Sequence, residues 1–213
     1  MNLRTPLFAS LGILAVTASV AMAATPPASS WEIGPNIRGK NYSVGMPRQP
    51  DAVRDGGVSF EFPGPDGEVD ALTTSVGSLW GVSEITVRYR IDAARGTRFV
   101  SAETPDQAAA VSFYFQRGGD TWSARGRYAS YRWYVPGHAV IPLTPGERTV
   151  TVRLDEPWTN VNGIPNTQDP RGFQSALENS AQLGIAFGTA SARSHGVYAT
   201  GPARFTLLSL EMR

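Results

Sequence analysis

The sequence predicts an all-β fold, a single antiparallel β-sandwich of the jelly-roll kind with one short helix. Three observations carry this prediction. Apolar and polar residues alternate in Val58 to Phe62, Glu84 to Asp92, Val111 to Gln116, Gln182 to Gly188 and Ala203 to Met212, the period of a strand with one buried face. Turn-forming clusters, drawn from 22 Gly and 16 Pro, separate these segments. A single stretch, Pro170 to about Glu178, combines a helix start with helical spacing. Recurrent strands with almost no helix between them fit two packed antiparallel sheets.

Residues 1–23 read as a secretory signal peptide. Arg4 supplies the positive start, Leu7 to Val20 the apolar run, and Ala21-Met22-Ala23 the small-x-small cleavage pattern. Ser10, Gly12, Thr17 and Ser19 interrupt the apolar run, which is too short for a stable membrane span. Removing 23 of the 213 residues leaves 190, enough for one domain with a sizeable core. Of the 19 basic residues one, Arg4, leaves with the leader, so 18 basic residues balance 18 acidic ones. That neutrality argues against a nucleic-acid partner, which requires a basic surplus. With zero Cys in an exported chain, burial alone holds the fold. The composition leaves the oligomeric state open.

Residues 24–55 read as an irregular leader in which Trp31 and Ile33 belong to a first strand or a flap. Residues 56–213 are expected to form the sandwich. Val58 to Phe62 is a strand stopped by Pro63-Gly64-Pro65-Asp66-Gly67, with Val69 to Thr74 pairing back on it. In Glu84 to Asp92, Ile85, Val87, Tyr89 and Ile91 face the core while Thr86, Arg88 and Arg90 face away.

The stretch Val111 to Val135 reads as strands folded about Gly118-Gly119, a strong signal for a two-residue type I′ turn. In that register Phe115 faces Trp122 and Phe113 faces Ala124 on the core side. Tyr114, Gln116 and Ser112 lie on the other side with Arg125. Trp133 joins the core, with Arg132 and Tyr134 pointing outward. Arg148 to Leu154 follows. Asp169 is placed as an N-cap with Pro170 at the first helical position, and Phe173, Ala176 and Leu177 share the buried helix face. Gln182 to Gly188 buries Leu183, Ile185 and Phe187, and Ala203 to Met212 buries Phe205, Leu207 and Leu210.

This pattern resembles the galactose-binding-like jelly rolls common among carbohydrate-binding modules. The leader, EITVRYRI, the aromatic-rich middle, LGIAFG and the last strand ARFTLLSLEM carry the resemblance, which extends over most of residues 56–213. It implies a β-sandwich that binds carbohydrate. Many such modules bear a structural calcium ion, so the resemblance leaves room for one, but no specific ligand motif in this chain supports it and no other cofactor is expected.

Chemistry-bearing motifs are sparse. With two His and zero Cys there is no zinc-ligand spacing. His138 lies in a turn. His195 beside Tyr198 is the arrangement of a base and an acid in β-sandwich polysaccharide lyases, but a His near a Tyr is also a common structural accident. Asp66-Gly67-Glu68-Val69-Asp70 reads as an acidic turn more readily than as an oxygen-ligand cation site. A carboxylate pair such as Glu61 with Glu84 would suit glycoside hydrolysis if their separation were right.

The side chains that rise above this background are Arg88, Arg90, Tyr114, Gln116, Arg125, Arg132 and Tyr134, assigned by alternation to non-core faces, and Trp158 in a long loop. Aromatic rings offer platforms to sugar faces and Arg forks bind hydroxyls or carboxylates. The leading expectation is therefore a periplasmic or secreted, non-catalytic domain binding an oligosaccharide or polysaccharide, an acidic one included. Its rivals are a polysaccharide lyase or glycoside hydrolase, and an envelope-associated structural protein with no small ligand.

Overall fold

The computed structural model describes residues 25–213; the leader expected at residues 1–23 lies outside the described residues. In chain order the strands are β1 (Trp31–Gly34), β2 (Asn36–Ile37), β3 (Lys40–Asn41), β4 (Asp51–Ala52), β5 (Val58–Glu61), β6 (Ala71–Ser75), β7 (Glu84–Ala93) and β8 (Phe99–Ser101). They continue with β9 (Ala110–Arg117), β10 (Arg132–Tyr134), β11 (Ile141–Pro142), β12 (Gly146–Arg153), β13 (Thr159–Asn160), β14 (Ser180–Gly188), β15 (Val197–Ala199) and β16 (Ala203–Met212). The helix α1 (Pro170–Glu178) precedes β14.

Two antiparallel sheets face each other across the core. The first runs β1-β6-β14-β9-β10-β13, with β11 also on β9, and the second β12-β7-β16-β5-β4. Ile33, Leu72, Phe113, Phe115, Trp133 and Ile185 from the first meet Phe60, Ile85, Val87, Tyr89, Phe205 and Leu207 from the second in one apolar cluster. The inward residues read from alternation in β7, β14 and β16 are all buried there. The helix closes one end of the sandwich. Asp169 Oδ1 accepts the Gly172 N–H at 3.0 Å, capping the first turn. That cap aims Phe173 into Trp133, Phe115 and Trp158, at centroid distances of 4.9, 5.7 and 6.5 Å.

Three expectations are corrected. β9 is followed by β10, but in the register Gln116–Arg132, Phe115–Trp133 and Tyr114–Tyr134, so Trp133 and not Trp122 stands opposite Phe115. At the Gly pair only Gly119 has a positive φ, 80°, whereas a type I′ turn needs it at both positions. The Asp120 carboxylate turns back instead, accepting from Gln116 Nε2 at 2.7 Å and from the Trp122 N–H at 3.0 Å. The chain is thereby led outward through a 3-10 turn at Gly126–Ser130 before it returns as β10.

The second correction concerns β6, which does not pair back on β5 but lies in the opposite sheet between β1 and β14. Ala71, Leu72, Thr73 and Thr74 are buried on both faces, which suits an interior strand rather than a half-solvated hairpin arm. The third concerns the outward side of β9 and β10. Ser112, Tyr114, Gln116, Arg132 and Tyr134 point away from the core and yet are buried, because the 118–131 connection and the stretch around Val161 fold over them. Trp122 and Val161 pack there on Ala71, Tyr114, Tyr134 and Ala186 as a second, smaller apolar cluster.

Phe173→Ala is expected to lower the unfolding free energy by about 3 kcal/mol or more, the cost of emptying a well-packed aromatic site. A shifted urea midpoint at unchanged slope would register it.

Candidate functional site

The outward face of the first sheet is the floor of a cleft of about 890 Å³. That floor is built from a contrast in side-chain size. The Tyr114 ring lies across Gly184 of the neighbouring strand, where any Cβ would run into the ring. Its hydroxyl meets Thr73 Oγ1 at 2.5 Å. Burial drives the Tyr114 pKa above the usual tyrosine range, so the phenol stays neutral. Tyr134 lies 5.6 Å from Tyr114, and the Trp122 indole meets Tyr114 edge-on at 5.7 Å. Trp122 has φ 62°, a left-handed conformation held by its hydrogen bond to Asp120.

Beneath the indole sits the Arg132 guanidinium, 4.2 Å from the ring centroid. Its Nε is 3.9 Å from Asp120 Oδ2, and the two side chains are 3% and 2% exposed. Gln116, which bonds the same carboxylate oxygen, keeps its own Oε1 without a partner. The charge pair therefore locks the 118–131 connection onto the sheet and sets the attitude of Trp122.

Further charged side chains line the cleft. Arg193 donates from Nη1 to the Val135 carbonyl at 2.9 Å and stands 5.5 Å over the Tyr134 ring. Among the described residues no carboxylate lies within ion-pair distance of Arg193; burial lowers its pKa, with Tyr134 opposing. On the same loop His195 Nδ1 pairs with the Glu103 carboxylate. Glu68 packs against Gly196, whose φ of 79° and missing Cβ make room for the carboxylate. Asp70 lies deeper, 7% exposed, with Oδ1 lacking any hydrogen-bond partner. Its backbone is fixed by Ser43 Oγ, which accepts the Asp70 N–H at 2.9 Å and donates to the Gly34 carbonyl at 2.6 Å. Burial, reinforced by neighbouring Glu68, pushes the Asp70 pKa up to about 8. Burial and Glu103 raise that of Glu68, while His195 opposes them. Tyr42 reaches the cleft from the turn after β3, with the Lys40 ammonium 4.8 Å over its ring.

Of the side chains selected from the sequence, Arg132 and Tyr134 line this cleft, and Tyr114 and Gln116 lie packed beneath it. The others lie elsewhere. Arg88 and Arg90 are on the solvated face of the second sheet, paired with Glu147 at 2.6 Å and Asp92 at 2.9 Å. Arg125 is exposed on the 118–131 connection and does not line the cleft. Trp158 is 0% exposed in the core, its indole N–H bonded to the Arg153 carbonyl at 2.8 Å. His195 lines the cleft but Tyr198, on β15, does not. Glu61 pairs with Arg204 and Glu84 with Arg213, so neither faces the cleft. His138 pairs with Glu156 at 3.1 Å.

Sequence reasoning missed Trp122, Glu68, Asp70, Glu103 and Arg193 as cleft residues. Asp70 had a usable signal, a lone acid inside the apolar run Val69-Asp70-Ala71-Leu72. Arg193 had none. Among the described residues, no cluster of three or more His, Asp or Glu is arranged to hold a metal ion, and no helix is long and apolar enough to cross a membrane.

No family model matches the chain, and no curated protein matches it. Among solved structures it is similar to a xylan-binding module at 16% identity, covering 88% of this chain and 96% of that one, with a TM-score of 0.41. A carbohydrate-binding module specific for non-crystalline cellulose shows 14% identity, 87% coverage of each chain and a TM-score of 0.41. A chain described with endo-acting O-glycanases of the human gut microbiota that initiate mucin breakdown shows 12% identity, coverage of 94% and 98%, and a TM-score of 0.42. Carbohydrate-binding modules, the class named from the sequence pattern, are thus among the structures this chain is similar to. At TM-scores of 0.41 and 0.42 the likeness assigns no function to this chain.

The placement of Asp70 has a consequence for stability. Between about pH 4 and about pH 8 the folded chain holds a proton on this carboxyl that the unfolded chain has already released. The unfolded state then binds fewer protons, so stability falls as pH rises through that window. Asp70→Asn is expected to remove most of this fall, measured as the thermal midpoint against pH.

Proposed function

We propose that the protein is an exported carbohydrate-binding protein whose ligand lies in the cleft over the first sheet. The observation that carries this reading is the Trp122 indole, partly exposed at the cleft wall and fixed over Arg132 and against Tyr114. A sugar ring has apolar C–H faces and a polar rim. It is recognised by a rigid aromatic plane with fork-like polar groups beside it, and here the plane is preorganised, so little ordering entropy is lost on binding. Export is the expectation from residues 1–23, and the neutral mature chain suits an extracellular polysaccharide better than a nucleic acid.

Arg193 supports extending the reading to acidic sugars. It is the cleft guanidinium without a carboxylate partner, and its position over Tyr134 leaves a planar donor for a uronate carboxylate. Acid-lined and Arg-lined parts of one cleft also orient a chain of sugars, since a carboxylate is drawn to one and repelled by the other.

Affinity electrophoresis through laminarin, xylan, soluble cellulose derivatives and polygalacturonate tests the reading directly. Retardation by at least one polysaccharide is expected, and Trp122→Ala should weaken it about tenfold or more, equivalent to about 1.4 kcal/mol. Arg193→Ala should weaken polygalacturonate binding more than neutral glucan binding. Equal retardation of native protein and Trp122→Ala would place the ligand somewhere other than this cleft.

A further inference from the structure

We propose that the cleft also hydrolyses a glycosidic bond, with Asp70 as the proton donor and Glu68 as the base that activates water. This rests on the carbohydrate reading and adds a reaction to it. The geometry comes first. Val69 enters the core, so Glu68 and Asp70, either side of it, project together from the opposite face, and both line the cleft. Asp70 Oδ1 is buried without a hydrogen-bond partner. A carboxyl that serves structure is anchored through its oxygens; here the backbone is anchored by Ser43, while Oδ1 has no partner on a residue that lines the cleft.

The two carboxyls differ in depth, which separates their roles. The deeper group loses more hydration on ionising, and the charge on its neighbour adds to that cost, so it keeps its proton. Glu68 is only partly buried: burial and Glu103 raise its pKa too, but His195 opposes them. Two carboxyls whose surroundings raise their affinities for a proton by unequal amounts divide into acid and base.

In the step, Asp70 gives its proton to the glycosidic oxygen as the bond from the anomeric carbon to that oxygen breaks, its electron pair staying on the oxygen. Water forms the new bond to the anomeric carbon and passes a proton to Glu68. One water is consumed, and the products are a hydroxyl and a reducing-end hemiacetal. Solvent carries the proton from Glu68 back to Asp70. No oxidant, reductant or other co-reactant is needed.

The other candidate groups lack this arrangement. His195 has Glu103 rather than Tyr198 beside it, and Glu61 and Glu84 are bound in ion pairs outside the cleft.

The test incubates the native chain with laminarin, xylan, soluble cellulose derivatives and polygalacturonate, following reducing ends in solution and retardation in gels of the same polysaccharides. Reducing ends are expected from at least one retarding polysaccharide. The rate should fall about 100-fold or more in Asp70→Asn and in Glu68→Gln, the scale of general acid–base assistance, and by more than retardation changes. In the native chain activity should be lost on the alkaline side near about pH 8 as Asp70 ionises.

Retardation without reducing ends from any polysaccharide would overturn the hydrolysis and leave the binding reading standing. Undiminished release by both folded variants would overturn the assignment of Asp70 and Glu68, and unsaturated ends would replace hydrolysis with elimination. Absence of both retardation and release would overturn the two readings together.

Discussion

The structure depends on burying one sheet on both faces. Its inner face meets the second sheet in the usual way, but its outer face carries Tyr114, Gln116, Arg132 and Tyr134, all polar at their tips and all buried. A buried hydroxyl without a partner costs about one to three kcal/mol, and a buried guanidinium without one costs more. The fold meets part of that demand with the Tyr114–Thr73 and Gln116–Asp120 hydrogen bonds and with the Asp120 charge 3.9 Å from Arg132, leaving Gln116 Oε1 and Arg132 Nε without a hydrogen-bond partner, and it makes room for the rings with Ala71, Ala186 and Gly184. Tyr114 then fits flat only because Gly184 has no Cβ. Once the face is closed in this way, the loops above it have a firm base and the space between them persists as a cleft.

That arrangement ties electrostatics to shape. Arg132 and Asp120 are almost fully desolvated, and removing one partner of such a pair strands the other, which is far more damaging than losing a surface ion pair. Arg88 and Arg90 show the opposite case. They pair at shorter distances, 2.6 and 2.9 Å, yet about half of each side chain is in water, where such pairs contribute little. In a chain without Cys, the buried pair acts as a polar staple for the 118–131 connection where a disulfide would otherwise serve.

Local periodicity was legible in the sequence; long-range partnership was not. The alternation of β7, β14 and β16 and the Asp169-Pro170 helix start are decided by neighbours along the chain, so the residues alone reveal them. The position of β6 is decided by which strand buries its second face, and Val69 to Thr74 reads equally well as a hairpin arm. Gly118-Gly119 misled for a related reason. The pair permits a type I′ turn, but the Asp120 side chain competes for the local backbone and side-chain donors and wins. Alternation places Tyr114, Gln116, Arg132 and Tyr134 on a non-core face, and of these Arg132 and Tyr134 line the cleft while Tyr114 and Gln116 are packed beneath it. The rest of the cleft comes from loops far apart in sequence, and only the three-dimensional path brings Trp122, Glu68, Asp70 and Arg193 to one space.

The position of Lys40 has a practical corollary. It is the sole lysine of the chain and it rests on Tyr42 at the rim of the cleft. Reagents selective for side-chain amines therefore converge on one point beside the opening. A fluorophore attached there becomes a sensor of occupancy, whereas a solid support coupled through the same amine holds the molecule mouth-down and closes it to large polymers.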